Sequence, residues 1–561
     1  MRLFCATFFV AILAPAADLV LRNGNVITLD PSLPQASAVA VTNGRISAVG
    51  TDAQLAREIG PKTRVIDLKG RLAIPGFIEG HAHFTGIGEA KMILNLRDAR
   101  NWDEIVAMVA AAAREAKPGE WIAGRGWHQE KWDQRPQPNI RGFPVEETLS
   151  RVSPNNPVLL THASGHAVFV NRAALARAGV TRATPDPKGG EILKDQQGNP
   201  TGLLNESAQS LANDARARDL ARRTLAEQES QAQRVIDLAA AESLSKGITS
   251  FEDAGSSPDV VARLKARADQ GQLPLRLWVM LRISNAEFAA NAARYRIMGA
   301  GDNHLTVRAI KRYMDGALGS RGAWMLEPYA DLPSSTGINV EDLKDLEQTA
   351  QIAIENGYQL CIHAIGDRAN REVLNLYEKT FREHPEKKDL RWRIEHAQHL
   401  DPLDIPRFKQ LGVIAAMQGI HATSDAGMVI PRLGTKRAQE GAYVWRSLID
   451  SGAHVANGTD APVEDVDPIA NYYATVTRKT TAGQEFFPAQ RMTRIEALRS
   501  YTVEPAYAAF EENLKGRLKT GMLGDITVLS QDLLTVPDQE ILKTRVDYTI
   551  VGGKVAWERG R

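Results

Sequence analysis

A (β/α)8 TIM barrel, with a small β-sandwich domain formed by both chain ends and an insertion near the barrel mouth, is the α/β architecture that three features of this 561-residue chain predict. Short apolar segments alternate with helical patterns through the middle of the chain, the rhythm of βα units around a parallel sheet. Both ends instead carry alternating polar and apolar residues broken by tight-turn signals. A stretch from about 121 to 222 fits neither rhythm and reads as an insertion.

The elements follow in order. The first residues, MRLFCATFFVAILAPAADLVL, give a positive Arg2, an apolar run from Leu3 to Leu13 and small residues at its exit. That is the pattern of a secretory signal peptide over residues 1–17, and its apolar run is too short to span a bilayer; a buried first strand is the alternative. DLVLRNGNVITLD and AVAVTNGRISAVG each hold two short strands around Asn-Gly, at Asn23-Gly24 and Asn43-Gly44, and each reads as a hairpin. GDITVLSQD and VDYTIVGGKVAWERG, with Gly552-Gly553, repeat that texture at the other end. Residues 18–73 and 510–561, each too small to bury a core alone, are expected to pair into one sandwich domain. Residues 74–509 are expected to form the barrel: the helix QAQRVIDLAAAESLSKG precedes the strand ITSFEDAG, EDLKDLEQTAQIAIENG precedes YQLCIHAIGD, LDPLDIPRFKQLG precedes VIAAMQGIH, and GAYVWRSLIDSG precedes AHVANGTDAPV.

Composition narrows the function. Lys plus Arg number 68 against 67 Asp plus Glu, with no long run of either sign, which argues against nucleic acid and anionic membranes as partners. The two cysteines are Cys5 and Cys361, and loss of Cys5 with the signal leaves no pair for an internal disulfide. An exported protein, periplasmic or secreted and with no membrane insertion after signal cleavage, must then draw its stability from its core or from bound metal. A homodimer is the association expected from base rates.

Chemistry concentrates at the polar ends of the apolar segments, where a barrel of this kind places its active site. In PGFIEGHAHF, His81 and His83 are two apart, so on a strand they face the same way. They are a metal clip or two histidines on a solvated loop, depending on what the other tips supply. Those tips supply Lys311 in LTVRAIKRYMDGALGSR, His363 in QLCIHAIGD, His396 in WRIEHAQH and Asp460 in ANGTDAPV. This order, with PGFIEGHAHF, GRGWHQEKW, HASGHAVFVNRAAL, DGALGSRGA, CIHAIGDRA, IEHAQ, NGTDAPVED and GDITVLS, resembles the amidohydrolase superfamily, and within it the large family-3 enzymes that include N-substituted formamide deformylases.

The resemblance implies a divalent metal site of one or two ions, with His81 and His83 as ligands of the more buried ion and His363 and His396 as ligands of the second. It implies that Lys311 is carboxylated and bridges the two, which converts a cation into an anion with two donor oxygens; a snorkelling lysine, or a one-metal site with Lys311 in an ion pair, is the alternative. Asp460 matches an aspartate that touches metal and handles protons. Nitrogen and oxygen donors suit zinc.

The expected reaction is hydrolysis of a non-peptide C–N bond in a small molecule. Hydrolysis of an ester, lactone or carbamate at the same site, or a non-catalytic metal-binding role, is the alternative. His162, His166, Trp127, Arg321 and His421 are candidate substrate contacts. Each also has a structural reading: capping or hydrogen bonding for His162 and His166, packing of the insertion for Trp127, a loop contact for Arg321 and orientation of Asp460 for His421.

Overall fold

The computed structural model describes residues 16–163 and 165–560. The expected signal segment lies outside them except for Ala16 and Ala17, and Ala17 is buried just before the first strand, donating to the Glu58 carbonyl at 2.8 Å and accepting from Thr63 Oγ1 at 2.6 Å.

Eight parallel strands form the barrel: β1 (Phe77–Ala82), β2 (Ile248–Ser256), β3 (Arg276–Leu281), β4 (Leu305–Tyr313), β5 (Gln359–Ala364), β6 (Arg393–His396), β7 (Ile414–Met417) and β8 (Val455–Asn457). They neighbour one another in chain order. β8 returns to β1: a Cβ on Gly80 would stand 2.5 Å from the Asn457 carbonyl oxygen, so only glycine allows this approach. Past the strand ends, Asp460 N donates to His81 O and His83 N to Ala461 O, each at 2.8 Å. This stitching fixes the first and last tips against each other, and with them the two ends of the site.

Side chains alternate along each strand, so every second residue points into the barrel. Ala254, Trp278, Met280, Ala309 and Cys361 pack together there. Cys361 is buried and free, and Cys5 lies outside the described residues.

The chain ends form two sheets. Leu19–Arg22, Ala38–Thr42, Arg45–Gly50 and Arg64–Asp67 make one. Gln35–Ala36, Asn25–Ile27, Leu72–Pro75, Ile526–Leu529, Val546–Val551 and Lys554–Glu558 make the other. Leu21, Val39, Ile66, Val528 and Ile550 fill the space between them. The Asn43-Gly44 and Gly552-Gly553 turns close hairpins. Asn23-Gly24 does not: it passes the chain from one sheet to the other, because Leu19–Arg22 and Asn25–Ile27 find better partners in different sheets. A buried, bidentate Arg276–Asp525 pair (2.7 and 3.0 Å) ties the start of β3 to the sheets.

Between β1 and β2 stands a separate six-stranded sheet ordered Gly190–Lys194, Pro200–Glu206, Ala167–Val170, Val158–His162, Ile122–Trp127 and Leu94–Asn95. The irregular region therefore begins before residue 121. Helix Trp102–Glu115 buries Trp102, Ile105 and Val109 against this sheet. In sequence, that amphipathic helix has the same period as a barrel helix, so the pattern alone does not show which sheet it covers. Among the described residues, no helix is long and apolar enough to cross a membrane.

Candidate metal centre

The six expected ligands sit near, at or just past strand ends on one face of the barrel. His81 lies in β1 and His83 follows it; Lys311, His363 and His396 lie near the ends of β4, β5 and β6; Asp460 follows β8. His396 and Asp460 adopt left-handed backbone (φ 76° and 56°), a costly conformation for residues other than glycine that is held where function requires it.

His81 is fully buried. Its Nδ1 bonds the Glu395 carboxylate, which leaves Nε2 as a lone pair pointing toward Asp460 Oδ1 at 3.6 Å. His83 Nε2 approaches the same oxygen at 3.3 Å. Potential ligand atoms of His81, His83 and Asp460 lie within 4.8 Å of one another, as do those of His396, His421 and Asp460. His396 Nδ1 is held by Gln418 Oε1 at 2.7 Å, and its ring is parallel to that of His421 within 12°. Nε2 of His81, His363 and His421 is buried without a hydrogen-bond partner among the described residues. Lone pairs and a carboxylate converging without donors repel one another, and a divalent cation between them is what such a donor set fits.

Charge states agree. Burial alone would raise the Asp460 carboxyl, but contacts with His81 and His83 and the nearness of His396 hold it well below the usual carboxylate range. Burial pushes His363 and His396 well below the usual imidazole value, and Lys311 and neighbouring histidines add to the effect. Neutral imidazole is the form that binds metal.

The other candidates separate. His421, in helix Gly419–Ser424, joins His396 and Asp460, whereas His363 stands beside His396 (ring centroids 4.5 Å) with Nε2 3.6 Å from Asp315 Oδ1. Lys311 is buried against the Tyr313 ring, Nζ 5.1 Å from its centroid. Trp127 is sealed in the insertion core and donates to the Leu160 carbonyl at 2.8 Å; it meets His162 edge-on but offers no wall to a ligand. Arg321 spends its guanidinium on Asp331 (2.8 and 3.2 Å), the loop-holding role. His162 ends its strand beside His128, and His166 bonds Glu206 at 3.0 Å.

Sequence reading missed the groups that aim the ligands. Glu395 and Gln418 hold His81 and His396, and Asp315 accepts backbone N–H bonds from Trp324, Ile365 and Gly366 at 2.8–2.9 Å. For Glu395 a signal existed: Arg393 and Glu395 are two apart on β6, so both must point into the barrel, where charges need partners.

The amidohydrolase family matches residues 64–556. The chain belongs to that family. This amidohydrolase is 33% identical over 96% of its length (91% of the relative) to the protein LONG AFTER FAR-RED 3 of Arabidopsis thaliana. It is 30% identical to an N-substituted formamide deformylase of Arthrobacter pascens, with 97% of this chain and 98% of the relative covered. An uncharacterized metal-dependent hydrolase of Pyrococcus horikoshii shares its fold with a TM-score of 0.75 at 24% identity, over 93% of this chain and 99% of that one. The amidohydrolase is thus a metal-dependent hydrolase acting on C–N bonds, built on the expected barrel.

Proposed function

We propose that the protein hydrolyses the acyl–nitrogen bond of a small N-acyl or N-formyl compound, with Asp460 carrying the proton. The observation that carries this reading is the single Asp460 carboxylate shared by two histidine groups, His81 with His83 and His396 with His421. Those residues would hold zinc, with His363 beside the second group. Bound there, the ion supplies an acidified water and a polarised carbonyl. Asp460, kept ionised, accepts the proton of the attacking water and returns it to the departing amine. Gln418 and Glu395 fix the His396 and His81 rings, so their lone pairs stay aimed at one point. The similarity to the formamide deformylase supports an acyl–nitrogen substrate.

Lys311 is read as carboxylated. In support, its ammonium meets no carboxylate within ion-pair distance among the described residues although the side chain is buried, and its charge bears on His363, His396 and Glu395. A buried, unpaired ammonium is costly, whereas a carbamate there faces cation-binding groups. Export is part of this reading, supported by Arg2 and the apolar run after it.

The test is metal analysis combined with hydrolysis of matched N-formyl, N-acyl and ester compounds. Zinc copurifying with the native protein, turnover of an amide, and loss of both in Lys311→Ala with partial rescue by short carboxylic acids are expected. Turnover of the esters alone overturns the substrate class, and full metal content in Lys311→Ala overturns the carboxylated lysine.

A further inference from the structure

Two guanidiniums approach the loop after β8, and they differ in one respect. Arg97 donates to the Pro462 carbonyl at 3.1 Å and is neutralised by Asp465. Arg125, on insertion strand Ile122–Trp127, reaches the same carbonyl with Nε at 3.4 Å and donates from Nη2 to Ala163 O at 3.2 Å. Both of its acceptors are neutral, and among the described residues no carboxylate lies within 4.0 Å of it. Arg125 is half-buried, and the acids that its charge feels, Asp460 and Glu89, stand beyond ion-pair range. Pro462 is two residues past Asp460, so the unpaired fork lies within a small molecule's length of the proton carrier.

We propose that Arg125 is an anion subsite at the barrel mouth that recognises a carboxylate on the substrate, so that the compounds hydrolysed are N-acylated amino acids or similar N-acyl carboxylates. This rests on the reading of the centre as an amide hydrolase. A half-buried guanidinium with no carboxylate beside it is open to pairing with an anionic ligand. The remaining N–H groups of a guanidinium form the planar fork that matches a carboxylate. The surroundings favour the same sign of ligand. The charges bearing on nearby His162 come from His128, His166, Arg125 and Lys131, all basic groups. Burial holds His128 at about 4, so it is a neutral hydrogen-bonding group, and Arg125 and Lys131 are the fixed positive charges there. A guanidinium fork also fits a phosphate, so inorganic phosphate is the competing anion in the test.

The test compares binding of N-acetylglycine, its neutral isostere N-acetylglycinamide and inorganic phosphate to the zinc-loaded protein by calorimetry. At least tenfold tighter binding of N-acetylglycine than of the amide is expected, the scale of a charged hydrogen-bonded pair. The ratio should fall to about one in Arg125→Leu and to an intermediate value in Arg125→Lys. Equal binding by the native protein, or an unchanged ratio in either variant, overturns the subsite; Arg125→Lys decides the matter if Arg125→Leu does not fold. Phosphate binding more tightly than N-acetylglycine overturns the carboxylate assignment. These ratios are read without turnover. Failure to hydrolyse either compound would therefore count against the amide reading alone.

Discussion

Two charged layers lie one above the other in the barrel, and they are built on opposite terms. In the lower layer, Arg393 bonds the Glu252 and Glu395 carboxylates, donates to the Gly80 carbonyl at 2.7 Å and lies under the Trp278 ring, so each charge is answered from within the chain. In the upper layer, His81, His83, His396, His421 and Asp460 gather their donor atoms, and among the described residues Nε2 of His81 and of His421 finds no hydrogen-bond partner. Glu395 belongs to both layers: burial alone would raise its carboxyl, but Arg393 and then His81 hold it well below the usual range. The contrast teaches how a structural ion network differs from a ligand site. One is complete without a guest, and the other is complete only with a cation.

The contrast can be broken first from above. Asp460→Asn keeps the shape and removes the proton acceptor, so kcat should fall by at least ~1,000-fold, the scale for loss of a general acid–base group that also binds metal. The chemical denaturation midpoint should barely move. Broken from below, the signs reverse. Arg393→Met leaves Glu252 and Glu395 buried without a cation and should cost about 3–5 kcal/mol of stability, read by denaturant unfolding. Glu395→Gln tests the shared residue. It keeps a hydrogen-bond acceptor for His81 but removes the charge, and zinc affinity of the apo-protein should weaken by about 10- to 100-fold.

The smallest effect sharpens the comparison at the surface, where water does the work of both layers. Glu496 caps helix Arg494–Ser500 and pairs with Arg446, and hydrogen bonds from Arg446 outweigh burial to bring its carboxyl down to about 2. Its folded value lies below the unfolded value of about 4.3, so its contribution is complete above that pH and disappears as pH falls through about 2. Glu496→Gln should therefore cost no more than about 1 kcal/mol at neutral pH, with the gap to the native protein closing below pH 4 in unfolding titrations.

Legibility followed chain distance. His81, His83, His363, His396 and Asp460 were visible because each closes an apolar run, and a barrel gathers such ends on one face. For Trp127 and Arg321 the residues alone leave a substrate contact and a structural role both open, because the hydrogen-bond partners that occupy them, Leu160 and Asp331, lie 33 and 10 residues away. Asn23-Gly24 had the chemistry of a hairpin turn and became a crossover between sheets, because strand partners drawn from Ala38–Thr42 and Leu72–Pro75 decide where an edge goes.

The sequence by itself determined the parallel barrel, the paired chain ends and which residue types stand at the strand tips, because these follow from local periodicity and turn chemistry. Only the tertiary structure decided that His421 joins His396 and Asp460, that Glu395 aims His81, and that Arg125 meets no carboxylate among the described residues. Such relations depend on distances of a few ångströms between side chains tens to hundreds of residues apart, and electrostatics changes sign in meaning over that range: the same guanidinium is a strut beside a carboxylate and a ligand's anchor without one.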